Sequence, residues 1–344
     1  KISFNYVLPE SKVPMRSFLQ SALLLFLIGS LPAAEIQVVL IAGQSNAVGR
    51  ADATGLTPDP ADTGVEYFYH VTTSGGTDFD SGNVFVPLVA VNGDFGPEFG
   101  LARTLKNDHI LSELAIIKRA RGGTNLFEDW MPGGSMYGPF IADCTTALGL
   151  ITVRGDTFKI LGLAWHQGER DSVVGRTTAQ YQADLHTFLG NVRSDLHEAF
   201  PIANFENLKV AVGEVSSKPE ISAAQQAVSE LEGGARFVAT GDLNLFDGLH
   251  FDAVGQLAMG ERMANTLIAL RDGVLEEGEP VVTTTTLNGP WYAGSASATA
   301  GVPSISDRNS DAFTWGTGIA SGGSSALRGM VWSYFPEQSL AVGE

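Results

Sequence analysis

The sequence contains a single cysteine, Cys144, and six histidines. No intrachain disulfide can form, and neither a CxxC zinc site nor an iron–sulfur cluster can be built. The histidines show no HExxH pattern or other close ligand pairing, which argues against a metal enzyme. We therefore expect no metal and no cofactor.

Basic residues are also scarce, since 21 Lys and Arg stand against 38 Asp and Glu and the formal net charge is −17. No Lys/Arg cluster is present that could release counterions from a phosphate backbone, so nucleic acid is not an expected partner. Charged residues make up 17% of the chain and apolar residues 44%. This balance is typical of a globular protein with a substantial core.

The apolar block Ser21–Leu31 is too short to favour a membrane-spanning helix. It follows the basic Arg16 and precedes small residues, an order typical of a secretory signal. We predict an upstream extension over 1–14 and a signal peptide over 15–34. The mature protein should be secreted or periplasmic and should lack an integral membrane span.

Five apolar stretches alternate with segments of helical periodicity. The stretches are 36–43, 114–118, 158–164, 208–215 and 236–240. This order predicts an α/β fold, a three-layer sandwich whose five-stranded parallel sheet is covered by helices on both faces. Residues 51–82 are rich in Gly, Asp, Thr and Pro and are predicted to form a loop with one short strand at 65–70.

The composition changes after the last predicted helix, which spans about 253–270. We assign the α/β domain to 35–272 and a linker, which includes a threonine run, to 273–288. Residues 289–344 are rich in Gly and Ser without a helical period, and are interpreted as an incomplete β-rich module.

Polar motifs follow three predicted strands and precede the last predicted helix: GQSN at 43–46, RGGT at 121–124, WHQGE at 165–169 and DGLH at 247–250. Acyl transfer needs a hydroxyl nucleophile, a base, a carboxylate that orients the base, and donors for the oxyanion. The chain offers one of each. Ser45 taken alone could equally cap a helix.

The order Ser, Asp, His also fits an α/β-hydrolase, but the turn around Ser45 lacks the second glycine of that family's nucleophile elbow. The GQSN, GGT, WxQGE and DxxH motifs instead resemble those of the SGNH (GDSL-like) hydrolases. Within them, the chain is similar to the carbohydrate-esterase branch that contains sialate O-acetylesterases and acetylxylan esterases. The resemblance covers roughly Ile36–Leu270.

The resemblance implies that Ser45 is the nucleophile, His250 the base and Asp247 the partner of the base. It implies an oxyanion hole formed by the Ser45 amide, a glycine amide and the Gln167 side chain. The glycine would be one of the pair at 122 and 123, so Gly122 and Gly123 are both candidates.

His166 is a rival base next to Gln167. Because neighbouring side chains of a strand point to opposite faces, only one of the two can face the pocket, and Gln167 is preferred. Polar or aromatic residues near the motifs are further candidates for substrate contact: Gln44, Asn46, Arg121, Trp130 and Arg170. Arg170 departs from the family, which more often has a small residue there.

The sequence thus predicts a secreted serine esterase that removes O-acetyl groups from a carbohydrate, of the acetylxylan or O-acetylated sialic acid type, through an acetyl-enzyme. Two alternatives remain open. One is a non-catalytic carbohydrate-binding or adhesion protein on the same fold, and the other is a lipid or aryl esterase, which should have an apolar acyl channel.

Overall fold

A computed structural model of the chain describes residues 33–73, 75–109 and 111–273. The upstream extension and nearly all of the predicted signal peptide lie outside these residues. So do the β-rich module and, apart from Gly273, the linker. In the described part of the chain, no helix is both long and apolar enough to cross a membrane.

The strands form one large sheet and one small one. They are β1 Glu35–Gly43, β2 Ala51–Asp52, β3 Val65–Thr72, β4 Asp78–Asp80, β5 Val86–Pro87, β6 Asp94–Phe95, β7 Leu114–Arg121, β8 Thr157–His166, β9 Val210–Gly213 and β10 Ala235–Val238. The large sheet has the order β10-β9-β8-β1-β7-β3-β4, and its first six strands are parallel. β4 and β5 pair with β3 antiparallel, and β2 pairs with β6.

Helices cover both faces of the large sheet. They are α1 Ser45–Val48, α2 Pro97–Asn107, α3 Leu126–Asp129, α4 Tyr137–Val153, α5 Glu169–Val173, α6 Thr178–Ala199, α7 Pro219–Leu231 and α8 Ala253–Asp272. Val38 and Leu40 of β1 pack into the core beneath α4, α6 and α7, whereas Val39 and Ile41 pack beneath α2 and α8. The continuous apolar run of β1 is therefore explained by burial on both faces. The three-layer α/β prediction is confirmed.

The parallel part of the sheet has six strands rather than the predicted five. The extra strand is β3, which was predicted to be a short strand within a loop. It pairs with β7 along its whole length, and Tyr67, Phe68 and Val71 are buried. The polar residues Glu66 and His70 interrupt its apolar pattern, which is why the sequence understated this strand.

A buried ion pair connects α2 to the sheet beside the carboxyl end of α1. Lys118 of β7 donates to Glu98 Oε2 (2.6 Å) and to the carbonyl of Val48 (2.7 Å), while Glu98 Oε1 accepts from the Gly96 amide (2.9 Å). Both side chains are 1% exposed. Burial lowers the pKa of Lys118, and the charge and hydrogen bond of Glu98 oppose that effect. The pair anchors the carboxyl end of α1, at whose amino end Ser45 lies.

Replacing Lys118 with methionine should lower the free energy of unfolding by about 3–5 kcal/mol, because it leaves a buried carboxylate without its cation. Lys159→Met is the matched control, since Lys159 and Glu35 form an exposed pair, and it should cost no more than about 1 kcal/mol. Urea unfolding at neutral pH measures both values. Equal midpoints for the two variants would contradict this account of the pair.

Candidate active site

The carboxyl ends of β1, β7 and β8, three neighbouring strands, meet at one edge of the sheet, as expected for the site of an open parallel sheet. β1 ends at Gly43, whose φ is 146°. A Cβ there would lie 2.0 Å from the carbonyl oxygen of His166, so only glycine fits. The Gln44 amide donates to the same carbonyl (3.0 Å). Ser45 then opens α1, at the end of the strand as predicted.

Ser45, His250 and Asp247 form a continuous hydrogen-bonded chain. His250 Nε2 lies 3.0 Å from Ser45 Oγ, and Nδ1 lies 2.7 Å from Asp247 Oδ2. Burial raises the pKa of Asp247, but hydrogen bonds from His250 and the Leu249 amide outweigh it and lower the pKa to about 2. The ionised carboxylate can only accept, so Nδ1 carries the proton and Nε2 can take one from Ser45.

The loop that carries His250 turns at Gly248, whose φ is 81°. Asp247 Oδ1 accepts from the amides of Leu249 (3.0 Å) and His250 (2.7 Å). The carboxylate therefore fixes the loop with one oxygen and the imidazole with the other. The sequence-based expectation that this glycine lets Asp247 and His250 face one pocket agrees with this geometry.

Asn46 lies inside the site and does not face the solvent. Its Nδ2 donates to Glu169 Oε1 (3.1 Å) and to the carbonyl of Leu249 (3.2 Å), and its Oδ1 accepts from the Phe251 amide (3.1 Å). The prediction that Asn46 contacts substrate is therefore wrong, because its buried amide is fully used. Asn46 ties the histidine loop to the turn after Ser45.

Gln44 has a comparable bracing role through its side-chain oxygen, which leaves only its amide nitrogen for the predicted contact with substrate. The side chain is buried, and its Oε1 accepts from the Gly168 amide (3.2 Å) and from Gln167 Nε2 (3.3 Å). These bonds hold the turn after β1 against the turn after β8.

Gln167 does not present its amide to Ser45 as predicted. The side chain is fully buried, and its Nε2 donates to Asp171 Oδ2 (2.5 Å) and to the carbonyl of Thr124 (2.9 Å), with Gln44 Oε1 as a longer third acceptor (3.3 Å). Oε1 accepts from the Tyr181 hydroxyl (3.1 Å). Gln167 therefore holds the RGGT turn in place through the Thr124 carbonyl.

Asp171 completes this support. Its carboxylate accepts from the Leu126 amide at the start of α3 as well as from Gln167. Burial raises the pKa of Asp171 to about 6, although the hydrogen bonds from Gln167 and Leu126 act in the opposite direction. The turn between β7 and α3 is thus held at Thr124 and at Leu126.

The two glycines of the RGGT turn differ in the hydrogen bonding of their amides. The Gly122 amide donates to the carbonyl of Thr72 (3.3 Å), whereas Gly123 is exposed and has a φ of 74°. Ser45, as the first residue of α1, has no intrahelical acceptor for its amide. Ser45 and Gly123 are therefore the better placed of the predicted backbone donors.

Of the three remaining candidates for substrate contact, two are exposed to solvent and one is buried. Arg121 and Arg170 are exposed and make no ion pair with another described residue. Trp130, in contrast, is fully buried against Trp165 and donates its indole N–H to Thr124 Oγ1 (3.0 Å). The prediction that Trp130 binds substrate is wrong, since the ring belongs to the core beneath the sheet.

His166 is excluded as the base by its own contacts. The ring is buried, and Nε2 lies 3.0 Å from the carbonyl of Glu214. Burial lowers the pKa of His166 despite the nearby charge of Glu169. The described residues also contain no group of three His, Cys, Asp or Glu side chains that could hold a metal ion.

Replacing Gln167 with alanine separates a supporting role from oxyanion donation. Because the change removes one donor from the buried Asp171 carboxylate and the Gln167 donor from the Thr124 carbonyl, we expect a loss of about 1–3 kcal/mol in the free energy of unfolding. Gln225→Ala is the comparison variant, as Gln225 is equally buried and donates to the backbone carbonyls of Gly213 and Gln167, and it should lower stability by a similar amount. A loss of about 10²- to 10³-fold in kcat with unchanged stability would instead identify a direct oxyanion donor.

Comparisons with known proteins agree with this geometry. A model of the carbohydrate esterase family of sialic acid-specific acetylesterases matches residues 35–269. No curated protein matches the chain.

Two solved structures share the fold. One is a protein from Arabidopsis thaliana, with 18% identity, a TM-score of 0.51, and coverage of 68% of this chain and 98% of that one. The other is NanS, with 16% identity, a TM-score of 0.50, and coverage of 71% of this chain and 100% of that one. At these identities the likeness concerns the fold. The predicted resemblance to the carbohydrate-esterase branch of the SGNH hydrolases is confirmed.

Proposed function

Since this chain belongs to the carbohydrate esterase family of sialic acid-specific acetylesterases, we propose that it removes O-acetyl groups from a carbohydrate through an acetyl-enzyme at Ser45. The observation that carries the proposal is the chain of hydrogen bonds from Ser45 through His250 to Asp247. A binding protein on this fold would have no need of a nucleophile, a base and an orienting carboxylate in one line.

In the first half of the reaction, Ser45 Oγ attacks the acetyl carbonyl carbon while its proton passes to His250 Nε2. The Asp247 carboxylate holds the ring and stabilises the imidazolium. The carbonyl π electrons move to oxygen, and the Ser45 and Gly123 amides stabilise that oxyanion. Collapse of the intermediate breaks the bond to the sugar oxygen, which takes the proton from His250.

In the second half, a water molecule gives a proton to His250 Nε2 and attacks the acetyl group on Ser45. Breakdown of this second intermediate releases acetate and returns the proton to Ser45. Every proton movement uses one imidazole nitrogen, so the mechanism needs Nε2 to remain free of any other partner. The contact of Nε2 with Ser45 Oγ meets that requirement.

The remaining sequence-based proposals concern the borders of the enzyme. We propose that residues 35–272 are the catalytic domain, preceded by a cleaved export signal and followed by a linker and a partial β module. We also propose that the exposed side chains of Arg121 and Arg170 contact the substrate.

A panel of esters tests the proposed function. Acetate release from acetylated xylan and O-acetylated sialic acid should exceed hydrolysis of long-chain nitrophenyl esters in kcat/KM. The relative rates on the two sugars assign the carbohydrate. Hydrolysis of the long-chain esters alone would replace the proposal with a lipid or aryl esterase, and binding without any ester hydrolysis would make the protein a non-catalytic carbohydrate-binding protein.

A further inference from the structure

Phe246 is the most exposed aromatic residue in the described part of the chain. Its side chain is 53% exposed, whereas every other described Phe, Tyr or Trp is buried or partly buried. A contiguous apolar patch that is open to water on a folded domain often marks a binding surface. No sequence motif assigns a functional role to Phe246, which directly precedes the DGLH motif.

The exposed ring lies against the histidine of the site. The rings of Phe246 and His250 are nearly parallel, with an interplanar angle of 24° and centroids 5.9 Å apart. The Phe246 amide also donates to the carbonyl of His250 (3.0 Å), which fixes the ring's backbone to that of the histidine. The open ring is therefore continuous with the proposed catalytic centre.

Two further apolar side chains extend this surface. Leu245 and Leu249 are 37% and 38% exposed, and they flank Phe246 and Asp247 in the same loop. Two contacts hold the loop in place. The Asn46 side chain donates to the Leu249 carbonyl, and the backbones of Leu245 and Phe251 pair in an antiparallel β-bridge. A held apolar surface loses little conformational freedom on binding, which favours a ligand contact.

We propose that Phe246, with Leu249 beside it, is a platform for the apolar C–H face of the acetylated sugar ring. This inference rests on the proposed function, and it names the contact that places the sugar while its acetyl group reaches Ser45. A pyranose presents a flat C–H face, and the exposed face of an aromatic ring is a suitable partner in shape and polarity. Trp130 and Trp165, the tryptophans closest in sequence to the polar motifs, are both buried and cannot serve.

The platform also has a consequence for the electrostatics of the site. The Asp247 side chain is 40% exposed in the free enzyme. A sugar that covers Phe246 and Leu249 would remove water from the neighbouring pair of Asp247 and His250, and would thereby strengthen their interaction. Occupation of the platform and orientation of the base are therefore coupled.

The test compares Phe246→Ala and Phe246→Trp on two acetyl esters, a mono-O-acetylated methyl glycoside and ethyl acetate, which has no ring. Phe246→Ala should raise KM for the glycoside about 10-fold more than KM for ethyl acetate, which corresponds to about 1.4 kcal/mol of ground-state binding. Phe246→Trp should keep KM for the glycoside within about twofold of the wild type, because it retains a flat ring.

Leu231→Ala is the matched control. Leu231 is 69% exposed and precedes β10, which places it at the opposite, amino-terminal edge of the sheet. It should leave both KM values unchanged. Equal losses on the two esters in Phe246→Ala would overturn the proposal, because they would mean that the ring acts on His250 alone. No loss on either ester would overturn it as well.

A binding measurement separates this inference from the proposed function. In the Ser45→Ala background, titration of the acetylated glycoside followed by NMR should give a Kd about 10-fold weaker when Phe246 is also replaced by alanine. If the wild type cleaves ethyl acetate but no acetylated sugar, the proposed function fails. The titration still shows whether Phe246 contributes to sugar binding. Equal Kd values would overturn the platform even if the enzyme is a sugar acetylesterase.

Discussion

Replacing Ser45 with alanine should lower kcat for acetate release by about 10⁴- to 10⁶-fold, because the acetyl-enzyme cannot form without the hydroxyl. Any remaining hydrolysis would depend on direct attack by water with His250 as base. The backbone donors and Asp247 would be untouched by the change. The effect should therefore fall on kcat, with KM for an acetylated sugar little changed.

The stability of the Ser45→Ala variant should be nearly that of the wild type. Ser45 makes one side-chain hydrogen bond, to His250 Nε2, so the cost is about 1 kcal/mol. Ser229→Ala is the matched control, since this serine is also buried and its hydroxyl donates to the Gln225 carbonyl (3.0 Å). It should show a similar change in Tm and full activity.

The same variant tests the covalent intermediate. Intact-mass spectrometry of a quenched reaction should detect an acetyl adduct on the wild-type protein and none on Ser45→Ala. Turnover by Ser45→Ala comparable to that of the wild type would refute the nucleophile, and an adduct mapped to another residue would identify its replacement.

Much of the fold could be predicted because strands that are buried on both faces of a parallel sheet have continuous apolar sequences. β1, β7 and β8 are apolar on both faces, and the helix patterns between them fix their parallel order. β3 was understated, since polar residues at partly buried positions break its pattern. Its position is set by pairing with β7, a tertiary contact that has no local signal in the sequence.

The meeting of Ser45, Asp247 and His250 could be predicted because motif spacing and strand ends determine which backbone segments come together. Side-chain direction is a different matter. Gln44 and Asn46 flank Ser45 and have the right chemistry for sugar hydroxyls, yet both amides point inward and bind neighbouring turns. The sequence specifies an amide at each position but not its partner, which depends on loops more than a hundred residues away.

The sequence also does not specify which aromatic rings are buried and which are exposed. Trp130 was a reasonable candidate for a sugar contact by residue type, and Phe246 was overlooked. Burial reverses the two: Trp130 is enclosed by the core, and Phe246 is open beside His250. Which ring is covered depends on the packing of α4 and α6 over the sheet, and no single-residue preference reports that.

Asp247→Asn should lower kcat by about 10⁴-fold at neutral pH, through the orientation and tautomer of His250. One oxygen of Asp247 accepts two backbone amides and the other accepts His250 Nδ1. An asparagine has one oxygen, and it satisfies more donors by facing the two amides. Its NH₂ group then faces Nδ1, which must become an acceptor, so the proton moves to Nε2 and the base can no longer accept from Ser45.

Asp242→Asn is the matched control for this prediction. Asp242 lies five residues before Asp247, is exposed, and pairs with Arg262 through contacts of 2.6 Å to the two terminal guanidinium nitrogens. It has no contact with the triad. We expect full activity and a stability change of at most about 1 kcal/mol. If Asp247→Asn kept activity close to that of Asp242→Asn, the orienting carboxylate would have to be another residue.

The pH dependence provides an independent check on Asp247. Its pKa is lowered from 3.8 to about 2, so the folded state favours the ionised carboxylate. The resulting stabilisation is fully present above about pH 4 and is lost as pH falls through about 2, the direction required for a depressed carboxylate pKa. The unfolding free energies of the wild type and Asp247→Asn should therefore converge as pH falls from about 4 to about 2 and remain separated above pH 4. Convergence near neutral pH would show that Asp247 titrates there, and would contradict its role as a permanently charged partner of His250.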